Sequence, residues 1–422
     1  MDRRRFLAGA GATGVGLLLG GCAQSSKTPP GTVAFFNDVP TWSPGFARTD
    51  APLKRRAGAI LAPQSVPGTS SYQQVIQSQL QTRNPPDIHK WGSGFRMQDL
   101  ARTGNLHPLD DVWRTITENG WASADTKAMF DYKGHSYGIP LVQGFYVLFY
   151  SVKVFKRLGL TRPTTWKEFT TACEALKKAG ITPIGATQVN SFPVAYWMSP
   201  LAVAVDADWY DKVCHGKASF LDAPGRQMME IWADMIKKGW FTSPDVADND
   251  FPAMVAKEQI GMYVNAAAWG SQALEATSLG KDGFDCFILP PVDGTQPKAT
   301  IAETAGLLVP KRAPHLDQAL KAADQWMAPD VQKQWASFLN GSTANPKVTW
   351  VNRQSQRIQK QVADNGIKIL NRYYEASPPA LVDGNLQDLG GFMANPSDPV
   401  GVLESLQQRA ETEWKYWEKV TA

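Results

Sequence analysis

Histidine and cysteine are scarce in this chain, five and four in 422 residues. The His are scattered, and neither Cys-x-x-Cys nor His-Glu-x-x-His occurs, so no metal centre is expected. A Gly-x-Ser-x-Gly elbow, a phosphate loop and a dinucleotide fingerprint are missing too, which removes the usual marks of an enzyme and of a cofactor. An excess of one charge is also lacking: 43 Lys and Arg face 39 Asp and Glu, for a net +4. Such balance argues against a nucleic-acid partner and against a strongly charged ligand. With Cys22 set aside, Cys173, Cys214 and Cys286 form an odd, widely spaced set. They read as buried small hydrophobes, with one pairing left open. The charge-free run from Phe6 to Leu19 is shorter than the ~20 residues that span a bilayer as a helix.

What is present begins with an address. Arg3-Arg4-Arg5-Phe6-Leu7 fits a twin-arginine export signal, with Asp2 where Ser or Thr is usual. Leu19-Gly20-Gly21-Cys22 is similar to a lipobox, whose Cys is lipidated after cleavage, while ordinary cleavage near Ala23 suits the same small residues. Both outcomes imply export to the periplasm or the outer face of the cytoplasmic membrane, with membrane contact only through an anchor at Cys22. Residues 1–28 are read as signal and linker, and the length that remains suggests two or more domains. Fifteen Trp are more than a core of this size needs.

The chain is organised around Gly134 to Gly185. Ile139 to Tyr150 is apolar, aromatic and β-branched, which predicts a strand. A helix capped by Ser151 and stopped by Gly159 follows, then a second with a capping box at Thr165 and Glu168, stopped by Gly180. By themselves these features predict an exported two-domain α/β protein, each lobe a sheet flanked by helices, with ligand outside the carboxyl ends of strands.

The same order of elements resembles the domain crossover of the extracellular sugar-binding proteins of ABC importers, the maltose-binding-protein-like family. Tyr137-Gly138-Ile139-Pro140 leads into a hinge strand ending at Tyr150-Ser151, where the family has Tyr-Asn. The Leu-Gly-Leu helix (Phe155 to Leu160), the Pro-x-Thr-Trp-x-Glu-Phe helix start (Pro163 to Phe169) and the Gly-x-x-Pro-Ile strand (Gly180 to Ile184) follow. Downstream, Gly239-Trp240-Phe241 and Phe251 to Trp269 also fit, the latter with one extra residue between Met262 and Trp269.

The resemblance implies a class II-like periplasmic-binding-protein fold with three hinge crossings. The expected N-terminal lobe is 29–141 with 287–328, and the C-terminal lobe 142–286 with 329–422. Phe284 to Pro291 would make the second crossing, and Thr300 to Val309 a ligand-facing loop carrying Glu303. The implied function is to close on a sugar, most simply an oligosaccharide, and deliver it as a monomer to an ABC permease without chemistry. In the first lobe, Asn37, Asp38 and Trp42 of the loop after the first strand are candidates, the alternative being an Asx turn beside a buried Trp. Trp91 and Arg96 lie in a glycine-bearing stretch expected to be a loop, with Trp91 facing Trp269 of the second lobe. Gln143 and Tyr146 of the hinge strand, Trp197 beside Tyr196, and Phe392 in a Gly-rich loop at Gln387 to Asn395 complete the set. Aromatic faces would take the C–H faces of a sugar, and polar groups its hydroxyl edges. Two rivals stay open: a secreted carbohydrate-active enzyme, and a same-fold binding protein for a non-sugar solute. Asp110-Asp111 looks like a glycosidase pair but is better explained as acids at a helix start.

Overall fold

Burial alternates along Thr32–Asn37 (β1), with Val33, Phe35 and Asn37 inside, as a strand with one face on a core requires. A computed structural model describes residues 29–189, 192–294 and 296–422. The twin-arginine motif, the lipobox and the anchor at Cys22 lie outside the described residues. β1 is followed by Ile60–Ser65 (β2), Ile88–Gly92 (β3), the short hairpin Asp131–Tyr132 (β4) and His135–Ser136 (β5), and the long strand Gly138–Ser151 (β6). Thr182–Gly185 (β7), Ile260–Ala266 (β8), Phe284–Phe287 (β9), Ala299–Leu308 (β10) and Lys368–Asn371 (β11) complete the strands.

Nine of these form one sheet in the order β2-β1-β3-β10-β6-β8-β7, with β11 on β10 and β9 on β6. β1 runs parallel to β2 and β3. β6 is buried at every position and changes partner midway. Up to Phe145 it pairs antiparallel with β10, and from Tyr146 onward with β8 and β9. β10 does the reverse, running beside β11 at Ala299 to Ala302 and beside β3 at Ala305 to Leu308. Two strands of opposite direction therefore join two lobes. A third link follows Leu339 instead of the expected boundary at 328, because Val331, Trp335 and Leu339 pack into the first lobe's core; there the Ser342 hydroxyl donates to the Gln143 carbonyl and Trp350 enters the second lobe's packing.

The return crossing is β10, which corrects two expectations. β9 stays in the second lobe against β6, and the expected ligand-facing loop at Thr300 to Val309 is strand up to Leu308. The physical reason is that its backbone groups are taken up by β6, β3 and β11.

The helix signals hold where they are local. The Ser151 hydroxyl accepts from Val154 N at 3.4 Å, and Thr165 and Glu168 form a reciprocal capping box at 3.2 Å each way. The last helix, Pro399–Thr421, is capped by Asp398. The first lobe's core gathers Phe35, Phe46, Trp113, Trp326 and Trp335; the second lobe's gathers Phe169, Trp197, Trp232 and Phe392. Cys173, Cys214 and Cys286 are buried and unpaired with one another. No described helix is long and apolar enough to cross a membrane.

Candidate functional site

β1 and β3 run parallel, so both deliver their carboxyl ends to the seam between the lobes, and β10 and β6 cross beneath. Asp38, just past β1, accepts from Lys90 Nζ at 2.7 Å and from the Thr69 hydroxyl at 3.0 Å. Lys90 Nζ also lies 5.7 Å from the centre of the Trp42 ring. On β10, at the middle of the crossing, the Glu303 carboxylate lies 3.1 Å from Arg372 of the second lobe. The Arg372 guanidinium grips Glu375 with two bonds of 2.7 Å and donates to the Tyr146 hydroxyl at 2.9 Å. The rings of Phe192 and Tyr374 flank it at 5.0 and 5.4 Å. From the first lobe, Arg96 stacks on Tyr374 at 3.9 Å and pairs with Asp383 at 2.5 Å. Of these, Asp38, Thr69, Lys90, Arg96, Glu303, Arg372, Tyr374 and Glu375 line a small basin of about 70 Å³, bordered also by Tyr72, Trp91, Gly92 and Thr304.

Electrostatically the basin is close to balanced. Burial raises the Glu303 carboxyl above its ordinary range, with Arg372 opposing. Burial acts against the charge of Arg372 as well, but Glu303 and Glu375 outweigh it and keep the guanidinium protonated. Burial also pushes Tyr146 and Tyr196 up, so both phenols stay neutral donors. Donors, acceptors and ring faces without net charge suit a neutral, hydroxyl-rich ligand. The two carboxylates at the crossing, Glu303 and Glu375, share one guanidinium.

Of the expected site residues, the structure brings Asp38, Trp91, Arg96 and Glu303 to the basin, with Tyr146 hydrogen-bonded to the Arg372 that lines it. Several expectations are corrected. Asn37 is fully buried and serves its own turn: Oδ1 accepts from Val39 N at 2.8 Å, and Nδ2 donates to Gln64 O at 3.3 Å. Gln143 is locked inside the hinge, donating to Thr126 and Thr304 hydroxyls at 3.1 and 3.2 Å. Trp91 belongs to β3, because Gly92 continues the strand and Gly94 already opens a helix. Its indole packs with Tyr72, Met97 and Leu100 and donates to Arg96 O at 2.9 Å. Trp197 lies in the second lobe's core between Phe169 and Phe241. Phe392 sits in the helix Pro379–Ala394, edge-on to Trp232 in the same core. The glycines that suggested a loop there let that helix approach closely: a Cβ on Gly390 would lie 3.3 Å from that of Gln188. Trp269 faces Trp42, not Trp91, at 5.6 Å between ring centres.

Sequence reasoning missed Arg372, Tyr374, Glu375 and Phe192. The run Arg372-Tyr373-Tyr374-Glu375, dense in aromatic and charged residues directly after a strand, was the available signal.

The geometry defines a two-lobed ligand-binding protein with its site between the lobes. The chain belongs to the bacterial extracellular solute-binding proteins, whose family profile matches residues 63–333. It is similar to the α-glucosides-binding periplasmic protein AglE of Rhizobium meliloti (strain 1021), 24% identical over 266 residues. That match covers 57% of this chain and 57% of the relative's length. Among solved structures, the solute receptor AcbH, described as preferring β-D-galactopyranose, superposes with a TM-score of 0.78 at 19% identity, over 92% of this chain and 99% of its own. A solute-binding protein of Thermotoga lettingae TMO bound with α-D-tagatose gives 0.73 at 18%, over 93% and 100%. At these identities the structures establish the shared fold.

Proposed function

We propose that this protein captures a neutral sugar between its lobes and hands it to an ABC import permease, without converting it. The observation that carries this is the basin itself: paired charges, neutral phenols and aromatic faces at the carboxyl ends of strands, where the two lobes meet. The names of its relatives, AglE among them, point the same way. Against catalysis, Glu303 and Glu375 are both held by Arg372, so neither is free to act as an acid or base toward a glycosidic bond. The test is titration calorimetry of the mature domain against mono- and disaccharides, with the ligand recovered afterwards. Saturable binding with the sugar unchanged is expected; recovery of an altered sugar, or no binding to any sugar, overturns the proposal.

Export by the twin-arginine route and anchoring at Cys22 belong to the same proposal. Replacing Arg3 and Arg4 by Lys should leave precursor in the cytoplasm, and Cys22→Ala should release the protein from membranes. Normal export of the first variant, or unchanged membrane association of the second, would sink the corresponding half.

A further inference from the structure

Phe95 is 7% exposed, yet its own lobe does little to cover it. In the helix Gly94–Ala101, Met97, Leu100 and Ala101 join the first lobe's packing with Tyr72 and Trp91. Phe95 faces away from them, and the three aromatic rings packed on it all belong to the second lobe. Trp414 and Trp417 of the last helix meet it edge-on, with ring centres at 5.3 and 5.4 Å and planes inclined by 79° and 63°. His215 closes a third side at 5.9 Å. Edge-to-face contact at such separations is a favoured arrangement of aromatic pairs.

Both halves of this contact are fixed in their own lobes. In the first, Gly94 turns the chain into the helix at φ +54° and donates its N–H to the Met129 carbonyl at 2.7 Å. In the second, the last helix is anchored in the core through Leu403, Leu406 and Ala410. Gly216 lies so close to Trp414 that a Cβ there would be 2.7 Å from the indole, so the ring has no room to withdraw. His215 is held by the helix before it, its Nδ1 donating to the Asp211 carbonyl at 2.7 Å. Lys368 fixes the Asp211 carboxylate in turn, also at 2.7 Å. None of the four rings lines the basin.

We propose that Phe95 and this socket form a latch between the lobes, which sets the fraction of molecules that are closed and, through it, the affinity for any ligand of the cleft. A side chain that projects from one lobe and is covered chiefly by the other loses that cover when the lobes turn apart about their links. Opening therefore returns the Phe95 ring and the facing indoles to water, which favours the closed form. Apparent Kd scales inversely with the binding-competent fraction, so the latch strengthens every ligand by one factor without touching any. This goes beyond the sugar reading and does not depend on it.

The test is small-angle X-ray scattering of the mature chain with no sugar added, wild type against Phe95→Ala, with urea denaturation alongside. The variant is expected to show a larger radius of gyration with an unfolding midpoint close to wild type, because neither lobe's core includes the ring. Trp414→Ala should open the chain in the same sense, and the double variant no further than Phe95→Ala alone, since partners in one contact are not additive. Phe95→Leu, which keeps an apolar side chain, should fall between; if Phe95→Ala folds poorly, Phe95→Leu and Trp414→Ala decide. A radius of gyration equal to wild type in the folded variants overturns the latch. Sugars that bind in the titration above should all weaken by a common factor of at least about fivefold. Unequal losses from sugar to sugar would place Phe95 on the ligand and overturn its role as a latch. Because the scattering needs no sugar, failure of the sugar proposal leaves this test intact.

Discussion

Arg372 is the single side chain whose loss should do most damage at the site. The residue is 6% exposed, and its guanidinium engages Glu375 at 2.7 Å twice, Tyr146 at 2.9 Å and Glu303 at 3.1 Å. Arg372→Met keeps much of the packing between Phe192 and Tyr374 but strands two buried carboxylates. Breaking a buried pair by removing one partner costs about 3–5 kcal/mol, because the uncompensated charge stays behind. The loss should depend on pH, and its sign is determined. Without the guanidinium, the burial that already raises Glu303 loses its main opposition, so its folded-state pKa rises further above the unfolded one. A carboxyl with a raised pKa destabilises the fold above that pKa and ceases to do so as pH falls toward the unfolded value. Glu303 should therefore recover about 1.4 kcal/mol per pH unit below its raised pKa. Urea denaturation followed by tryptophan fluorescence at pH 8 and pH 5 measures this. The gap between variant and wild type should be near its maximum at pH 8 and clearly smaller at pH 5. A loss under about 1 kcal/mol at pH 8, or the same loss at both pH values, would show that the triad is not the buried ionic centre described here.

Two further outcomes follow from single positions. Gly94 has φ +54° and faces the Glu375 carbonyl across the lobes, so Gly94→Ala should hold the lobes apart. Inter-lobe fluorescence transfer should show a longer distance in the variant, and equal distances would refute the contact. His89 is fully buried with neither ring nitrogen partnered, and burial lowers its pKa to about 3. A base with a depressed folded pKa costs stability as pH falls below its unfolded value near 6.5, so His89 should account for about 2 kcal/mol of loss by pH 5. His89→Leu should flatten that segment of the pH–stability curve, and a curve parallel to wild type would refute it.

The crossover was legible because its signals are short-range. The Ser151 cap and the Thr165–Glu168 box each lie within three or four residues, and β6 is apolar apart from Gln143 and Ser151 because both its faces are covered. The site was not legible in the same way. Arg372 meets Glu303 and Tyr146 only after β11 has docked beside β10, and nothing local to any of the three announces the others. Glycine misled in two places for one reason. Gly92 and Gly390 mark close approach of backbone to a neighbour, which looks like a loop when only chain neighbours are visible.

Tryptophan misled in a more instructive way. An excess of Trp suggests a supply of ligand platforms, yet three of the most buried indoles serve the hinge strand. In the first lobe β6 pairs only with β10, which leaves carbonyls on its outer edge without a strand to donate to them. Trp113 donates to Gly138 O at 2.8 Å, Trp326 to Pro140 O at 3.0 Å and Trp335 to Leu141 O at 2.8 Å. Leu141 is the residue skipped where the β6–β10 register shifts, since Pro140 pairs with Gly306 and Val142 with Ala305. Its carbonyl is thus freed by a bulge and taken by an indole. A buried carbonyl with no donor costs about 1–3 kcal/mol, and an indole supplies both the N–H and a large apolar body to cover the edge. The chain must pass through this edge at full burial to reach the second lobe. Its Trp content therefore follows first from how the crossing strand is built, and from the basin only at Trp91.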